Sequence, residues 1–256
     1  MDSEFEYIRT LERFGIRPNF WCSNEYFAKA QFNDAKTGRA IWVEDQAGMT
    51  VLPPISIQTG MFCSDVNVGD IWCGLDGFSC GQAEFLDYEY IYNPAHFKDM
   101  SGHKWATFRK NSRKYPKRAT STLNYLPVRA NDHIEEVTAF SVEWGQQIKW
   151  EEVQDGNVML SYLFEGQNRA VLIDGERKIH GINIWDVNHK FVNFRYCLCL
   201  DEPFLSEFMR LLFHLSSIHY GKLVNDGGVL GNSQLKAFKD KLNPVEVNEI
   251  FSWKRS

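Results

Sequence analysis

The chain has 256 residues, of which 44% are hydrophobic and 24% charged, and its formal net charge is −5 at pH 7. This apolar content is enough for a packed core and excludes intrinsic disorder, and the acidic balance argues against a general polyanion-coating protein. A run of about 18 apolar residues is absent, and the acidic N-terminal segment lacks the regions of a secretory signal, so we expect a cytoplasmic protein without a membrane span.

The first half predicts two helices and a hairpin. Apolar positions three residues apart indicate a helix over 2–15, and the Ser23/Asn24 capping signal predicts a second helix from Glu25 to Phe32. Residues 40–55 are typical of two strands around a turn, with Pro53-Pro54 ending the second strand. The glycine- and cysteine-rich residues 58–86 predict a long irregular stretch, which in compact proteins is often functional.

A basic segment follows a short strand that starts at Tyr88. Asn93-Pro94 indicates a helix start and Pro116 its end. The cations of this segment alternate with the aromatic residues Trp105, Phe108 and Tyr115. The aromatic side of the segment must therefore pack against the protein, while the cationic side projects. The projecting side predicts an anion-binding wall for a phosphate-bearing donor, and the alternative is a solvated charged face. The cations of the segment are Lys104, Arg109, Lys110, Arg113, Lys114, Lys117 and Arg118.

The second half predicts the order β-α-α-β-β-β-α-β-α-β. The predicted ranges are 121–130, 133–150, 158–166, 169–179, 181–189, 191–200, 203–221, 222–226, 233–242 and 245–254. An antiparallel meander followed by a crossover specifies a mixed α/β sheet with helices on both faces. We expect the sheet to open between the last meander strand and the strand after the long helix, where a ligand can lie.

The stretch from Asn225 to Pro244 resembles the closing motif of the phosphatidylglycerol lysyltransferase C-terminal domain family, and the peptidoglycan-bridge (Fem) aminoacyltransferases look like more distant relatives. A second match, over Met100 to Arg109, resembles that family's Leu-x-Gly-Lys-Lys-Tyr segment, and the matches together span about residues 88–256. The resemblance implies a GNAT-type acyltransferase fold in two tandem units, a degenerate one over 1–118 that ends in the basic bridging helix and a second over 119–256. The residues of the closing motif that fall in register are Asn225, Leu230, Gly231, Leu235, Lys239 and Pro244.

The same motif predicts a phosphate site. Gly231 precedes a helix whose first N–H groups can hold an anion, and Lys239 lies two turns into that helix. The alternative is that Gly231 is a loop residue and Lys239 a solvated one. The predicted donor phosphate-binding residues are Lys239, Gly231, Arg109, Lys104, Lys110 and Arg113.

Amide formation needs a base for the acceptor and a proton for the leaving group. We expect Asp226 and Asn225, at a strand end, to lie beside the acceptor, and Tyr196 or Tyr220 to protonate the leaving group. Glu202 and Asp186 are further candidate bases, although Asp186 also fits a role in shaping a hairpin turn.

The cysteines and histidines predict no metal site and no permanently bound cofactor. The histidines lack a ligand set, and no cysteine belongs to a CxxC pair, so buried, reduced thiols are expected. Cys197 and Cys199 are two residues apart in an apolar run, so on a strand both would lie on one face. The six cysteines are Cys22, Cys63, Cys73, Cys80, Cys197 and Cys199.

The predicted function is acyl or aminoacyl transfer from a phosphate-bearing carrier to an amine or hydroxyl. Residues 198–208 carry no glycine where acetyl-coenzyme A enzymes have their pyrophosphate turn. The resemblance therefore suggests aminoacyl-tRNA rather than acyl-coenzyme A as donor. The alternatives are base modification of a nucleic acid (tRNA or DNA) by acyl transfer, as in phage-type DNA hypermodification, and a catalytically inactive binding protein of the same fold.

Overall fold

The computed structural model describes residues 4–63, 66, 82–129, 131–147 and 156–254. The helices within these residues are α1 (Glu6–Phe14), α2 (Asn24–Lys29), α3 (His96–Asp99), α4 (Ala106–Ser112), α5 (Tyr115–Arg118), α6 (Ile134–Gln147), α7 (Gly156–Glu165), α8 (Leu205–Ser217) and α9 (Ser233–Lys241). The strands are β1 (Asn33–Thr37), β2 (Ala40–Glu44), β3 (Thr50–Ser56), β4 (Gln82–Tyr92), β5 (Asn124–Val128), β6 (Asn168–Ile173), β7 (Ile179–Val187), β8 (Phe191–Cys199), β9 (Leu223–Asn225) and β10 (Glu246–Lys254).

These strands form two sheets within the described part of the chain. The order is β1-β2-β3 in one sheet and β10-β4-β9-β8-β7-β6-β5 in the other. Only β8 and β9 pair in parallel, and the other strand pairs are antiparallel. The mixed α/β class predicted from the sequence is confirmed.

The two N-terminal helices form as predicted, with a shorter second one. Ser23 caps α2 by accepting a hydrogen bond from the Tyr26 amide at 3.0 Å. The helix ends at Lys29 instead of Phe32, because Gln31 has a left-handed φ of 56° that α-helix cannot continue.

The hairpin forms with two differences from the sequence expectation. β1, which is polar and mostly exposed, lacks the apolar alternation that would have marked it as a strand. The expectation that Pro53-Pro54 ends the second strand is wrong, because both prolines lie inside β3. β3 is an edge strand of the three-stranded sheet, where proline's missing N–H is tolerated.

β4 is longer than predicted. It begins at Gln82 rather than near Tyr88 and pairs with β10 along its whole length. The last residues of the expected irregular stretch 58–86 therefore belong to a strand, and 64, 65 and 67–81 lie outside the described residues.

The basic segment folds as short helices rather than one. A 3-10 turn over His103–Trp105 leads into α4, which ends at Ser112. Pro116 was expected to end a helix, but it lies in the first turn of α5, where its missing N–H has no intrahelical partner to lose.

The second half has the predicted element order, and its sheet carries helices on both faces. Val192 and Phe194 of β8 pack toward α8, where the Phe194 and Phe213 rings stack at 3.9 Å. On the opposite face, Asp186 of β7 accepts a hydrogen bond from Tyr162 of α7 at 2.7 Å. This layering leaves the line between β8 and β9 as the place where the sheet can open.

β4 links the two parts of the chain. It lies between β10 and β9 in the seven-stranded sheet, although it precedes residue 118. The division into units over 1–118 and 119–256 stays a prediction. None of the helices in the described ranges has the length and apolar character needed to cross a membrane.

Candidate functional site

The seven-stranded sheet opens where it was predicted to open. β8 and β9 pair only through Phe191–Leu223, Val192–Val224 and Asn193–Asn225. β8 then continues to Cys199, whereas β9 ends, and a cavity of about 350 Å³ occupies the gap. The cavity is lined by Phe20, Trp21, Tyr26, Asp87, Trp144, Met159, Phe194, Arg195, Tyr196, Cys197, Leu198, Arg210, Asp226, Gly227, Gly228, Leu230, Leu235 and Lys239.

A β-bulge lies at the start of the opening. Trp185 of β7 pairs with Phe194 and Ile184 pairs with Tyr196, so Arg195 is the extra residue. A bulge re-aims side chains, and here both Arg195 and Tyr196 lie on the α7 side of the sheet. Two consecutive side chains of one strand therefore line the same wall of the cavity.

Asp226 lies at the end of β9 between two cations. Its carboxylate is ion-paired with Arg210 of α8, and its Oδ1 is 3.5 Å from the Lys239 ammonium. Asp226 raises the pKa of Arg210 against the opposing effect of burial. Asp226 is 5% exposed, so the predicted acceptor-side base is present at the cavity but is engaged by its neighbours.

Lys239 holds the loop that follows β9. Its ammonium donates to the carbonyl oxygens of Asp226, Gly227 and Gly228. Burial lowers its pKa to about 8, even though Asp226 acts in the opposite direction. The expectation that Lys239 contacts a donor phosphate does not fit this geometry, because the side chain is 3% exposed and its protons are donated within the chain.

Asp87 fixes the same loop from the other side. Its carboxylate accepts hydrogen bonds at 2.9 Å from the amides of Val229 and Leu230. A Cβ on Gly228 would lie 1.8 Å from the Asp87 Oδ2, so only glycine fits this position. Lys239 and Asp87 together set the shape of the cavity wall over 226–230.

Gly231 lies just outside the cavity. It adopts a left-handed φ of 73° and precedes Asn232, whose side chain caps α9 by accepting from the Leu235 amide at 2.9 Å. The cap occupies one of the N–H groups that were expected to bind phosphate. Gly231 therefore acts as the turn before α9 in this structure.

Arg195 is the most unusual group at the site. Its Nε donates to Asp186 Oδ2 at 2.6 Å, its Nη2 lies 3.3 Å from Ser23 Oγ, and the guanidinium lies over the rings of Phe20 and Tyr26. Nη1 has no hydrogen-bond partner among the described residues. A buried guanidinium N–H without a partner is costly, and an oxygen atom of a ligand in the cavity would satisfy it.

The other predicted catalytic residues are dispersed. Tyr196 lines the cavity, whereas Asn225 does not, and the Asn225 Oδ1 accepts from the Gly227 amide at 3.0 Å. Asp186 is not a hairpin-turn residue but the buried partner of Arg195. Glu202 and Tyr220 lie elsewhere, where Glu202 contacts His180 and Tyr115 and Tyr220 accepts from Trp185.

The basic segment does not line this cavity. Lys104, Lys110 and Arg113 are exposed, and the Arg109 guanidinium donates to the Met100 carbonyl. The segment packs on α8 through Asn111, whose amide donates to Glu207 at 3.1 Å. Lys104, Lys110 and Arg113 therefore form an outer basic surface, separate from the cavity beside Asp226.

Sequence reasoning missed Arg195, Arg210 and Asp87. A signal existed for the two arginines, because each interrupts an apolar run and a buried charge requires a partner. No signal marked Asp87, because the backbone amides that it binds lie far along the chain.

The thiols differ partly from expectation. Cys22 is buried, whereas Cys63, Cys197 and Cys199 are partly exposed, and all four are free. Cys73 and Cys80 lie outside the described residues. In the part of the chain that the structure describes, no group of three or more His, Cys, Asp or Glu side chains is arranged to hold a metal ion.

Comparison with solved structures finds the same fold over the whole chain. A conserved protein of unknown function from Bacteroides thetaiotaomicron superposes with a TM-score of 0.74 at 13% identity, covering 100% of this chain and 99% of that one. L-PGS from Bacillus licheniformis gives 0.67 at 15% identity, covering 98% and 91%.

The C-terminal domain of a protein described as a lysylphosphatidylglycerol synthetase from Agrobacterium fabrum gives a TM-score of 0.66 at 14% identity, covering 98% of this chain and 92% of that one. These likenesses show that the chain shares its fold with these three proteins, and they show the fold alone. No family model matches the chain, and no curated protein matches it by sequence.

Proposed function

We propose that the chain is an aminoacyl- or acyltransferase whose reaction takes place in the opening between β8 and β9. The observation that carries the proposal is the parting of these strands after Asn193 and Asn225, beside Arg195, Arg210 and Asp226. Beyond this point no described strand pairs with the β9-facing edge of β8, so its backbone groups are available to an extended acyl or aminoacyl group.

In the proposed reaction, the amine or hydroxyl of the acceptor attacks the carbonyl carbon of the donor. The bond from that carbon to the carrier breaks, an amide or ester to the acceptor forms, and the proton lost by the acceptor is matched by one gained by the carrier oxygen or sulfur. Negative charge develops on the carbonyl oxygen, and the unpartnered Arg195 Nη1 supplies a donor for it. Tyr196, which lines the same wall, is the proposed proton donor to the carrier.

Asp226 and Arg210 have a supporting part in this proposal. Their ion pair fixes the end of β9 next to the opening, and Asn225 stabilises the following turn by accepting a hydrogen bond from the Gly227 amide. Asp226 lies beside the space for the acceptor, where its carboxylate orients the attacking N–H or O–H. We assign Lys239 to holding this wall rather than to binding phosphate.

The outer basic surface supports aminoacyl-tRNA as the donor. Lys104, Lys110 and Arg113 are exposed and no carboxylate neutralises them among the described residues, so phosphates of a tRNA can bind there. The names of two structures of the same fold, L-PGS and a lysylphosphatidylglycerol synthetase, fit an aminoacyl donor. Acyl-coenzyme A remains the competing donor in the test.

A direct assay tests the proposal. The chain is incubated with radiolabelled lysyl-tRNA or with acetyl-coenzyme A, and with phosphatidylglycerol vesicles, single-stranded DNA or a mixture of small amines as acceptors. We expect label to move from tRNA to one acceptor class, and Arg195→Lys, which keeps a cation near Asp186 but loses the fork of donors, to reduce the rate at least tenfold.

Lys190→Ala is the matched control, because Lys190 is exposed on the turn between β7 and β8. The control should transfer at the rate of the unchanged chain. Absence of transfer with both donors by a folded protein that still binds tRNA would instead favour the inactive binding protein. Label on DNA would favour base modification.

A further inference from the structure

β8 carries two neighbouring thiols, and one of them, Cys197, lies on the wall of the cavity. The sulfur atoms of Cys197 and Cys199 are 3.6 Å apart, because alternate residues of a strand point to the same face. Cys197 lines the cavity, and both side chains are partly exposed. Small solutes can therefore reach Cys197 through the cavity, whereas Cys22 is completely buried.

The two thiols have different surroundings. A hydrogen bond from Cys199 lowers the pKa of Cys197 against the effect of burial, and the charge of Arg210 lowers it further. The same contact, together with burial, raises the pKa of Cys199. The thiolate form is thus easier to reach at Cys197 than at Cys199, which can react in a second step.

A bond between the two sulfurs is geometrically accessible but strained. Residues two apart on an extended strand lie roughly 6.6–6.8 Å apart at Cα, at the upper end of the roughly 4.4–6.8 Å that disulfides span. Closing the bond would therefore shorten β8 locally. Strained disulfides are easily reduced, which suits a reversible reaction rather than a permanent cross-link.

We propose that Cys197 and Cys199 form a reversible redox site on the cavity wall, which low-molecular-weight disulfides such as oxidised glutathione convert to an intramolecular disulfide. The Cys197 thiolate attacks one sulfur of oxidised glutathione, breaks its S–S bond and releases one glutathione thiolate, which takes up a proton from water. Cys199 then loses its proton and attacks the Cys197 sulfur of the mixed disulfide. This step releases the second glutathione, so two protein thiols are oxidised and one glutathione disulfide is reduced.

The proposed site does not depend on which reaction the cavity supports. Cys197 follows Arg195 and Tyr196 in β8 and lies beside Arg210, so a shortened β8 changes the wall that holds these three side chains. Oxidation is therefore expected to lower occupancy of the cavity, whatever its ligand.

Redox titration with peptide mapping tests the proposal. The full chain is equilibrated in glutathione buffers of graded ratio, quenched with acid, alkylated and digested with trypsin. The peptide Tyr196–Arg210 contains both cysteines and no other. We expect it to change from doubly alkylated to unalkylated with the loss of two hydrogens. The ratio of reduced to oxidised peptide should be proportional to the squared concentration of reduced glutathione divided by the concentration of oxidised glutathione.

Two variants separate the roles of the thiols. Cys199→Ser should retain glutathione on Cys197, whereas Cys197→Ser should form the mixed disulfide on Cys199 about tenfold more slowly, because of the two thiols it is Cys197 that lines the cavity. Equal rates in the two variants would overturn the assigned order of attack.

Cys22 reports unfolding in the same samples, because it lies alone in its own tryptic peptide and is completely buried. It should stay free of glutathione throughout. A peptide Tyr196–Arg210 that stays doubly alkylated in the most oxidising buffer overturns the proposal, and so does oxidation that only keeps pace with modification of Cys22.

Discussion

At the scale of single residues, the largest change from the sequence interpretation concerns Lys239. The motif predicted a phosphate ligand, and the structure shows a buried ammonium bound to the backbone of 226–228. Spacing in a sequence can place a residue on a helix, but it cannot show whether the side chain points to solvent or to the loop beneath it. That choice depends on Asp226 and Tyr90, which belong to other elements.

Loss of the Lys239 ammonium should destabilise the fold. Lys239→Met keeps the apolar stem but leaves buried carbonyl oxygens and Asp226 with fewer partners, so we expect the free energy of unfolding to fall by about 2–3 kcal/mol. Urea unfolding measures the change. Lys236→Met, on the exposed side of α9, is the control and should leave the free energy of unfolding nearly unchanged. Equal effects of the two substitutions would contradict the anchoring role.

The pH dependence of stability should identify Lys239 independently. Its pKa is about 8 in the folded protein, whereas the pKa of a lysine in the unfolded chain is about 10.4. Between these values the unfolded chain binds more protons, so stability rises with pH. The difference in unfolding free energy between the unchanged chain and Lys239→Met should therefore grow by about 2 kcal/mol from pH 8 to pH 10.

Parallel urea titrations of the two proteins at each pH measure this difference, because other groups titrate equally in both. A difference in unfolding free energy that stays constant or shrinks would mean that Lys239 of the folded protein keeps its full charge between pH 8 and pH 10.

At the scale of elements, the short β9 and the loop after it create the opening. The loop is shaped by contacts between Asp87 of β4 and the amides of Val229 and Leu230. Close approach of the two segments requires a residue without a side chain at 228. The glycines of the sequence are visible, but which of them faces a carboxylate is decided by strands that are distant along the chain.

Gly228→Ala should disrupt this loop. The added methyl group would meet the Asp87 carboxylate and the Tyr88 carbonyl, so we expect a loss of at least about 2 kcal/mol of stability, together with loss of ligand binding in the cavity. Gly175→Ala is the matched control, because a Cβ there meets nothing within 4 Å. Thermal unfolding measures both, and a similar melting temperature for the two variants would show that the loop can move aside.

The elements of the second half were predicted accurately because each one has a clear pattern of apolar residues. The meander strands are continuous apolar runs between turn residues, and α8 is long and amphipathic. β1 was missed since its residues are polar and exposed, and the start of β4 was missed because only pairing with β10 makes those residues a strand. The opening could be predicted from element order, whereas its Arg195 and Arg210 lining required the packed structure.

At the scale of the whole molecule, cavity and basic surface are separate features of one chain of net charge −5. Exposed cations on α4 and on either side of it give a local positive surface on an acidic protein. Such separation is suited to a large polyanionic donor, whose body binds outside while its reactive end enters the opening.

Salt dependence tests whether the proposed tRNA donor binds to this surface. Each phosphate contact contributes roughly 0.7–0.9 to the slope of log affinity against log salt, so Lys110→Ala combined with Arg113→Ala should reduce the slope by up to about 1.8. Filter binding of tRNA over a range of salt concentrations gives the slope. Lys190→Ala should leave it unchanged, and an unchanged slope in the double variant would place the tRNA elsewhere.

The position of β4 has a consequence for how the molecule is made. β4 pairs with β10 along one edge, from Gln82 to Ile91, and its other edge pairs with the three-residue β9. During synthesis β4 must therefore wait, with one edge uncovered, until nearly the whole second half has been translated. The early segments can complete their fold only after β10 has been synthesised. Mutations that weaken β10 should therefore first cause aggregation of newly made chains, before any effect of a lost local contact is seen.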